Sequence, residues 1–346
     1  MKRRAASMTA MRGVIGQLDM LARLSARAAR GEIGQAYGLF GPRSIGKRTV
    51  ALRIAQTLNC SDPTRPAGGC GICLSCVKIE RGIHPDVQLI ERAADRTVIE
   101  IAQVREMQQD LALRPLEGRA RVVIIDDAGE LNQFSQDALL KTLEEPPAHA
   151  VLLLITPAAT VLSETIQSRL QPLTFRYVRT VEIAEALTAR KIKDADRIAA
   201  ACGGRPGLAL RLAADEGGER TRRTGIEQEL LTLVSSGLTD RFAWAADLAD
   251  ENDPRKRVRD IDHRFDQWAE VLRDAALAAR GIDVRPLRPD RAAQTTRIAA
   301  GASARELIDA TLLLEKLRRD LAWNANARAM LELFALKLPY VAGVAA

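Results

Sequence analysis

A parallel α/β module over roughly the first half of the chain, followed by helices alone, is the fold class that this 346-residue sequence predicts. Three observations predict it. The short apolar run Ala36-Tyr-Gly-Leu-Phe40 leads into a glycine-bearing loop and then into helical spacing, which is a strand–loop–helix unit. Val122-Val-Ile-Ile125 is an unbroken β-branched run of the kind expected for a parallel strand covered on both faces. Beyond about residue 180 the strand pattern stops, and apolar residues recur at steps of three and four.

The loop, Gly41-Pro-Arg-Ser-Ile-Gly-Lys-Arg-Thr49, nearly spells a phosphate-binding loop. In such loops glycines let backbone N–H groups curl round phosphates, the lysine reaches the outer ones, and a following hydroxyl anchors Mg²⁺. Gly41, Gly46 and Lys47 are kept, but Arg48 stands where the hydroxyl belongs. Thr49 is a poor substitute, because one helical step turns a side chain by about 100°. The loop is therefore able in outline to hold ATP or ADP yet ill-equipped to hydrolyse it, and sequence leaves open whether it still binds either. Val50, Leu52, Ile54 and Leu58 mark the helix that comes after it.

Four of the five cysteines, Cys60, Cys70, Cys73 and Cys76, come next. Four thiolates match one tetrahedral zinc, and Gly68, Gly69 and Gly71 let the chain bend round it. An iron–sulfur cluster is the competing reading, although the trailing Cys-Pro of the ferredoxin motif is absent. A disulfide framework is not expected, because nothing at the N-terminus resembles a signal peptide and a nucleotide loop belongs in the reducing cytosol. Cys202 reads as a small buried side chain.

The strand at 122–125 ends in Asp126-Asp127. A carboxylate at such an edge organises Mg²⁺ in loop-containing ATPases, which makes Asp126 a nucleotide-site candidate. Asp127 takes the place of the Glu that would polarise water, one methylene short. Farther on, Glu144 and Glu145 close a helix ahead of Pro146-Pro147, where the helix dipole disfavours acids; solvation is the expected account, ahead of a basic partner. Leu173-Thr-Phe-Arg-Tyr-Val178 reads as the last strand.

Residues 179–215 form a small helical unit in which Gly203-Gly-Arg-Pro-Gly207 separates two helices, and Asp215-Glu-Gly-Gly218 reads as a linker. Two amphipathic stripes lie beyond it, Ile261/Phe265/Trp268/Leu272/Ala275 and Leu307/Ala310/Leu314/Leu317/Leu321, with Pro286 and Pro289 breaking the chain between them. Their stepping fits bundle packing better than a coiled coil.

Composition bounds the function. No apolar run approaches the ~20 residues of a membrane span. Aromatics make up only 3%, which argues against a stacking platform for single-stranded nucleic acid despite Trp244, Trp268 and Trp323. The net charge of +7 is diffuse; Arg220-Thr-Arg-Arg223 and Arg255-Lys-Arg-Val-Arg259 are its main runs, read as solvated helix faces before DNA sites.

In this order the motifs resemble the delta-prime subunits of the bacterial DNA polymerase III clamp loader, in the AAA+ superfamily. Leu139-Leu-Lys-Thr-Leu-Glu-Glu-Pro-Pro147 and the cysteine insertion after the first loop helix carry the resemblance. Val14-Ile-Gly-Gln17, Ile83-His-Pro-Asp-Val87 and Trp323-Asn-Ala-Asn326 add to it. The gamma/tau subunits share much of this, and the degenerate loop separates the two.

The resemblance implies an AAA+ module over 1–178 with a zinc insertion at about 60–80, a small helical lid over 179–215 and an all-α oligomerisation collar over 216–346. Ser168-Arg169-Leu170 stands where clamp-loader subunits carry a Ser-Arg-Cys motif, which implies that Arg169 acts in trans on a neighbour's nucleotide. The family's sensor arginine maps to Gly207, with Arg205 two places off. The protein so implied is a cytoplasmic, non-hydrolysing subunit that assembles with gamma/tau and delta and, through the complex, with the sliding clamp and primer-template DNA. It belongs to a polymerase holoenzyme yet has no ATPase or polymerase activity of its own. The rival readings are an active gamma/tau-like ATPase and a stand-alone zinc-containing nucleic-acid binder.

Overall fold

A computed structural model describes residues 13–64, 66–93, 96, 98–215, 218–283, 291–322 and 326–343. They divide into two compact units between Leu210 and Arg211.

The first unit is built on a parallel sheet of five strands in the order β2-β3-β4-β1-β5. These are β1 Ala36–Phe40, β2 Val87–Ile90, β3 Arg121–Ile125, β4 Ala150–Thr156 and β5 Gln171–Thr174. Every residue of β3 and β4 is buried, as continuous apolar runs require when helices cover both faces. Strand β1 lies between β4 and β5, so the loop after it opens where the strand order reverses, a place where ligands bind in open α/β sheets.

Helix α1 (Leu18–Ala29) packs on α2 (Lys47–Asn59), which also carries α3 (Leu74–Glu80). Helices α4 (Ile101–Ala112) and α5 (Gln133–Glu144) pack together. Val104, Met107, Leu139 and Leu143 from this pair join Ile125, Leu152 and Leu154 of the sheet in one core. The short α6 spans Glu164–Gln167.

The last strand departs from the sequence expectation of 173–178. It covers Gln171–Thr174, because β5 is an edge with only β1 as its partner. The Phe175 N–H still donates to Phe40 O at 2.7 Å, but the Val178 N–H donates to Gly204 O at 2.9 Å, so the chain has left the sheet for the helices. Those helices are α7 Thr180–Ala189, α8 Ala195–Ala201 and α9 Pro206–Ala214, the last opened by a proline that suits a first helical turn. Cys202 is fully buried, and its thiol donates to Ala199 O, which fits its reading as a packing residue.

The second unit contains α10 Glu219–Ser235, α11 Leu238–Ala249, α12 Pro254–Ala279, α13 Ala292–Gly301, α14 Ala304–Ala322 and α15 Ala327–Lys337. Both sequence stripes are buried in its core, on α12 and α14, which pack against each other. Trp268 and Phe334 stack at 5.4 Å with Phe265 beside them, and Trp268 Nε1 donates to Ile226 O. Trp268 is therefore core, not a base-stacking surface. In the basic runs, Arg222 pairs with Glu219 and Lys256 with Glu251 on accessible helix faces, whereas Arg223 is largely buried against Glu270 of α12, which corrects its reading as part of a solvated face. Pro286, Pro289, Trp323–Ala325 and the centre of the 215–218 linker lie outside the described residues. No helix among the described residues is long and apolar enough to cross a membrane.

Candidate nucleotide loop, exposed arginine and metal centre

The loop joins β1 to α2 with Gly46 in a left-handed conformation (φ 98°) at the helix start. A Cβ on Gly41 would meet Phe175 O at 2.6 Å, so this turn admits no larger residue without moving the backbone. Lys47 is folded inward, and its Nζ donates to the carbonyls of Gly41 and Pro42. Burial lowers its pKa to about 8, with Asp127 and Asp126 opposing and Arg43 assisting.

Arg48 holds the centre of the site. Its Nη1 donates to Asp126 Oδ2 at 3.1 Å and to Glu91 Oε1. Burial raises the Asp126 carboxyl above its usual range, and Glu91 adds to that while Arg48 opposes it. A guanidinium thus supplies the positive charge that a hydroxyl-anchored Mg²⁺ would bring to Asp126. Thr49 turns away, its methyl near Gly13, as the helical rotation requires. Asp127 sits at φ 57° and accepts from Arg43 at 3.4 Å.

Three features beside this loop become visible only in the fold. Glu91 follows β2 as Asp126 follows β3, and the register pairs Ile90 with Ile125, so the two acids end adjacent strands. Reading 87–90 as a strand exposes that signal. Thr156 is a fully buried hydroxyl at the end of β4, the strand between β1 and β3. Gly207, singled out for the arginine it lacks, leans on the loop, and its N–H donates to Ser44 O at 2.8 Å. A Cβ there would meet the same oxygen at 2.9 Å. Gly207→Ala is expected to cost about 1–2 kcal/mol in a urea unfolding titration, because the oxygen is backbone and the loop must shift. Helix propensity alone favours Ala by about 1 kcal/mol, so a net gain in stability would contradict the contact.

Arg169 lies just past α6. Its Nη1 donates to Thr165 O at 2.8 Å and Ser168 Oγ at 3.3 Å, and its Nη2 to Glu144 Oε1 at 2.6 Å. This corrects the expectation for the acid at the end of α5: a basic partner from the same chain answers Glu144, where solvation was expected. The Arg169 side chain is about one-third exposed (32%).

The four cysteines converge, with all Sγ atoms within 4.8 Å of one another. The Cys60–Cys73 separation of 3.9 Å is close to the ~3.8 Å edge of a tetrahedron with Zn–S bonds of ~2.3 Å. An iron–sulfur cluster would divide the four thiolates among two or four irons and spread them farther. Backbone N–H groups of Cys70, Cys73 and Cys76 donate to Sγ of Cys60, Cys70 and Cys73 respectively, which favours thiolates. Burial raises the Cys73 thiol, but the Cys76 and Ser61 N–H groups and the neighbouring Cys76 and Cys70 thiols outweigh it and hold it down to about 6, while burial pushes Cys76 upward.

The module is bolted to the sheet by the motif around Ile83. Ser75 Oγ donates to Asn59 O and meets His84 Nε2, His84 Nδ1 accepts the Asp86 N–H, and the Asp86 carboxylate accepts N–H groups from Leu116, Glu117 and Gly118. Asp86 is held below the usual carboxylate range: burial works against this, and the three N–H groups and Arg121 outweigh it.

Residues 16–179 match the family model described as DNA polymerase III, delta subunit. The chain is 37% identical over 171 residues to DNA polymerase III subunit tau of Salmonella typhimurium, covering 48% of this chain and 26% of that one. It is 33% identical over 209 residues to subunit delta' of Pseudomonas aeruginosa, covering 59% and 63% respectively. It therefore spans less than two thirds of the length of these relatives. Among solved structures, a DNA polymerase III gamma subunit-related protein from Thermotoga maritima aligns at 18% identity, over 92% of this chain and 97% of that one, with a TM-score of only 0.42.

Proposed function

We propose, from the match of residues 16–179 to the DNA polymerase III delta-subunit family model and the likeness to subunit delta', that the chain is a non-hydrolysing clamp-loader subunit of the delta-prime kind. In this reading it is an AAA+ subunit whose residues 179–215 act as a lid and 216–346 as a collar. It assembles in the cytoplasm with gamma/tau and delta to open the sliding clamp and load it on primed DNA. Arg169 serves the nucleotide of a neighbour, and the cysteine module holds a structural zinc.

The observation that carries this reading is the Arg48–Asp126–Glu91 cluster. An acid already paired with the chain's own guanidinium has less need of a divalent cation, and hydrolysis in loop-containing ATPases depends on that metal. Gly41, Gly46, Lys47 and Asp126 would then form a loop that takes ATP or ADP weakly or not at all. A shared ancestry with gamma/tau explains why the rest of the loop survives.

The test uses the purified full chain. ATP affinity is expected to be the same within about twofold with and without Mg²⁺, with no turnover above background. Arg48→Thr is expected to introduce a Mg²⁺ dependence, because it uncovers Asp126 and restores a hydroxyl. Brisk divalent-dependent hydrolysis by the unsubstituted chain would establish the motor reading in its place.

A further inference from the structure

Glu144 occupies the guanidinium that the proposed function sends elsewhere. Its carboxylate accepts from Arg169 Nη2 at 2.6 Å, while Thr165 O and Ser168 Oγ take Nη1. Two donors of the fork, Nε–H and the second Nη2–H, are left without an acceptor among the described residues. Glu144 is itself poorly placed as an acid, since it ends α5, where the helix dipole is negative. The turn behind it is fixed: Gln35 Nε2 donates to the carbonyls of Pro146 at 3.3 Å and Pro147 at 2.9 Å.

A carboxylate and a phosphate oxygen compete for the same guanidinium geometry, and a triphosphate carries more charge. We infer that Glu144 is a latch: it stands in for the neighbour's phosphate, parking Arg169 on the chain's own surface until a bound triphosphate displaces it. The inference rests on the trans role proposed for Arg169.

The pair is half exposed, with the side chains 32% and 50% accessible, so the latch is weak by construction. Ion pairs of this exposure hold by little more than thermal energy, which predicts an effect of about two- to fivefold and not an all-or-none lock. It also predicts the direction. Releasing Arg169 removes a competitor for it and a negative charge beside the incoming phosphates, so ATP is engaged at lower concentration. The rate at saturation changes little, because the latch is already displaced there.

The experiment measures steady-state ATP turnover against ATP concentration in a complex reconstituted with the gamma/tau and delta partners, using Glu144→Gln, Arg169→Ala and the double variant. Glu144→Gln keeps the shape and removes the charge. The latch predicts a KM lowered about two- to fivefold with kcat held, an effect that shrinks at high salt and vanishes when Arg169 is Ala. An unchanged or raised KM in Glu144→Gln, or the same fall in the Arg169→Ala background, would overturn it. Arg169→Ala with normal turnover would overturn both the latch and the trans role, whereas crippled Arg169→Ala beside a neutral Glu144→Gln sinks the latch alone. Melting temperatures of the single variants separate a folding defect from either outcome.

Discussion

Arg169→Ala, placed in an otherwise intact complex, is expected to lower ATP turnover by about 10³-fold, the lower end of what a trans arginine contributes to phosphoryl transfer. The reason is electrostatic. Charge spreads over the oxygens of the transferring phosphoryl group, and a guanidinium delivered from a neighbour neutralises it without being held in the ATPase's own pocket. Arg169→Lys is expected to recover little, because a point charge on a flexible stem does not reproduce a planar fork.

Lys47→Ala provides the contrast. In a working loop the lysine engages the outer phosphates, and its loss stops the motor. Here Nζ is turned onto the carbonyls of Gly41 and Pro42, and Arg48 covers Asp126, so turnover of the complex is expected to change by less than about threefold. A complex damaged by Lys47→Ala and indifferent to Arg169→Ala would reverse the assignment of motor and helper.

Removing metal is the second large effect. Chelation, or Cys76→Ser, is expected to destabilise the first unit by on the order of 3–5 kcal/mol and to lower its melting temperature by roughly 10 °C. Free zinc-finger peptides owe more than that to their metal, about 10–16 kcal/mol. The smaller value reflects anchoring: Arg53 pairs with Glu80, Gln56 Nε2 donates to Cys76 O, and Ser75 bonds to Asn59 O. These links persist when the ion leaves. Because the ligands must be thiolates, retention of the metal is expected to fail as pH falls. The checks are metal content, expected at one zinc per chain, and calorimetry with and without chelator. A protein that melts identically after full removal of its metal would contradict a structural zinc.

The parts of the site that were legible in the sequence are those written contiguously. Gly41 to Thr49 carry the loop within one short stretch, and three of the four cysteines lie within a single turn of chain. The helical stripes were legible for the same reason, since period and burial coincide on α12 and α14. What escaped depends on the order of the strands. Nothing local says that Glu91 and Asp126 end neighbouring strands, so the second acid on Arg48 was invisible until the register was fixed. Glu144 and Arg169 are separated by the whole of β4 and α6, and an acid at a helix end looks solvated when its partner is not adjacent. Gly207 read as a lost arginine; only the fold shows that its lack of a side chain lets a helix touch the loop.

That touch governs what the loop can transmit. In a cycling nucleotide site, swelling and collapse around phosphate must push on something, and here the backbone of Gly207 lies against the loop, hydrogen-bonded to Ser44 with no side chain to cushion it. With Lys47 turned onto the loop carbonyls and Arg48 paired with Asp126, the proposed function gives that stroke no driver. Under the proposed function the joint would act as a splint, and a neighbour leaning on Arg169 would meet a firm support.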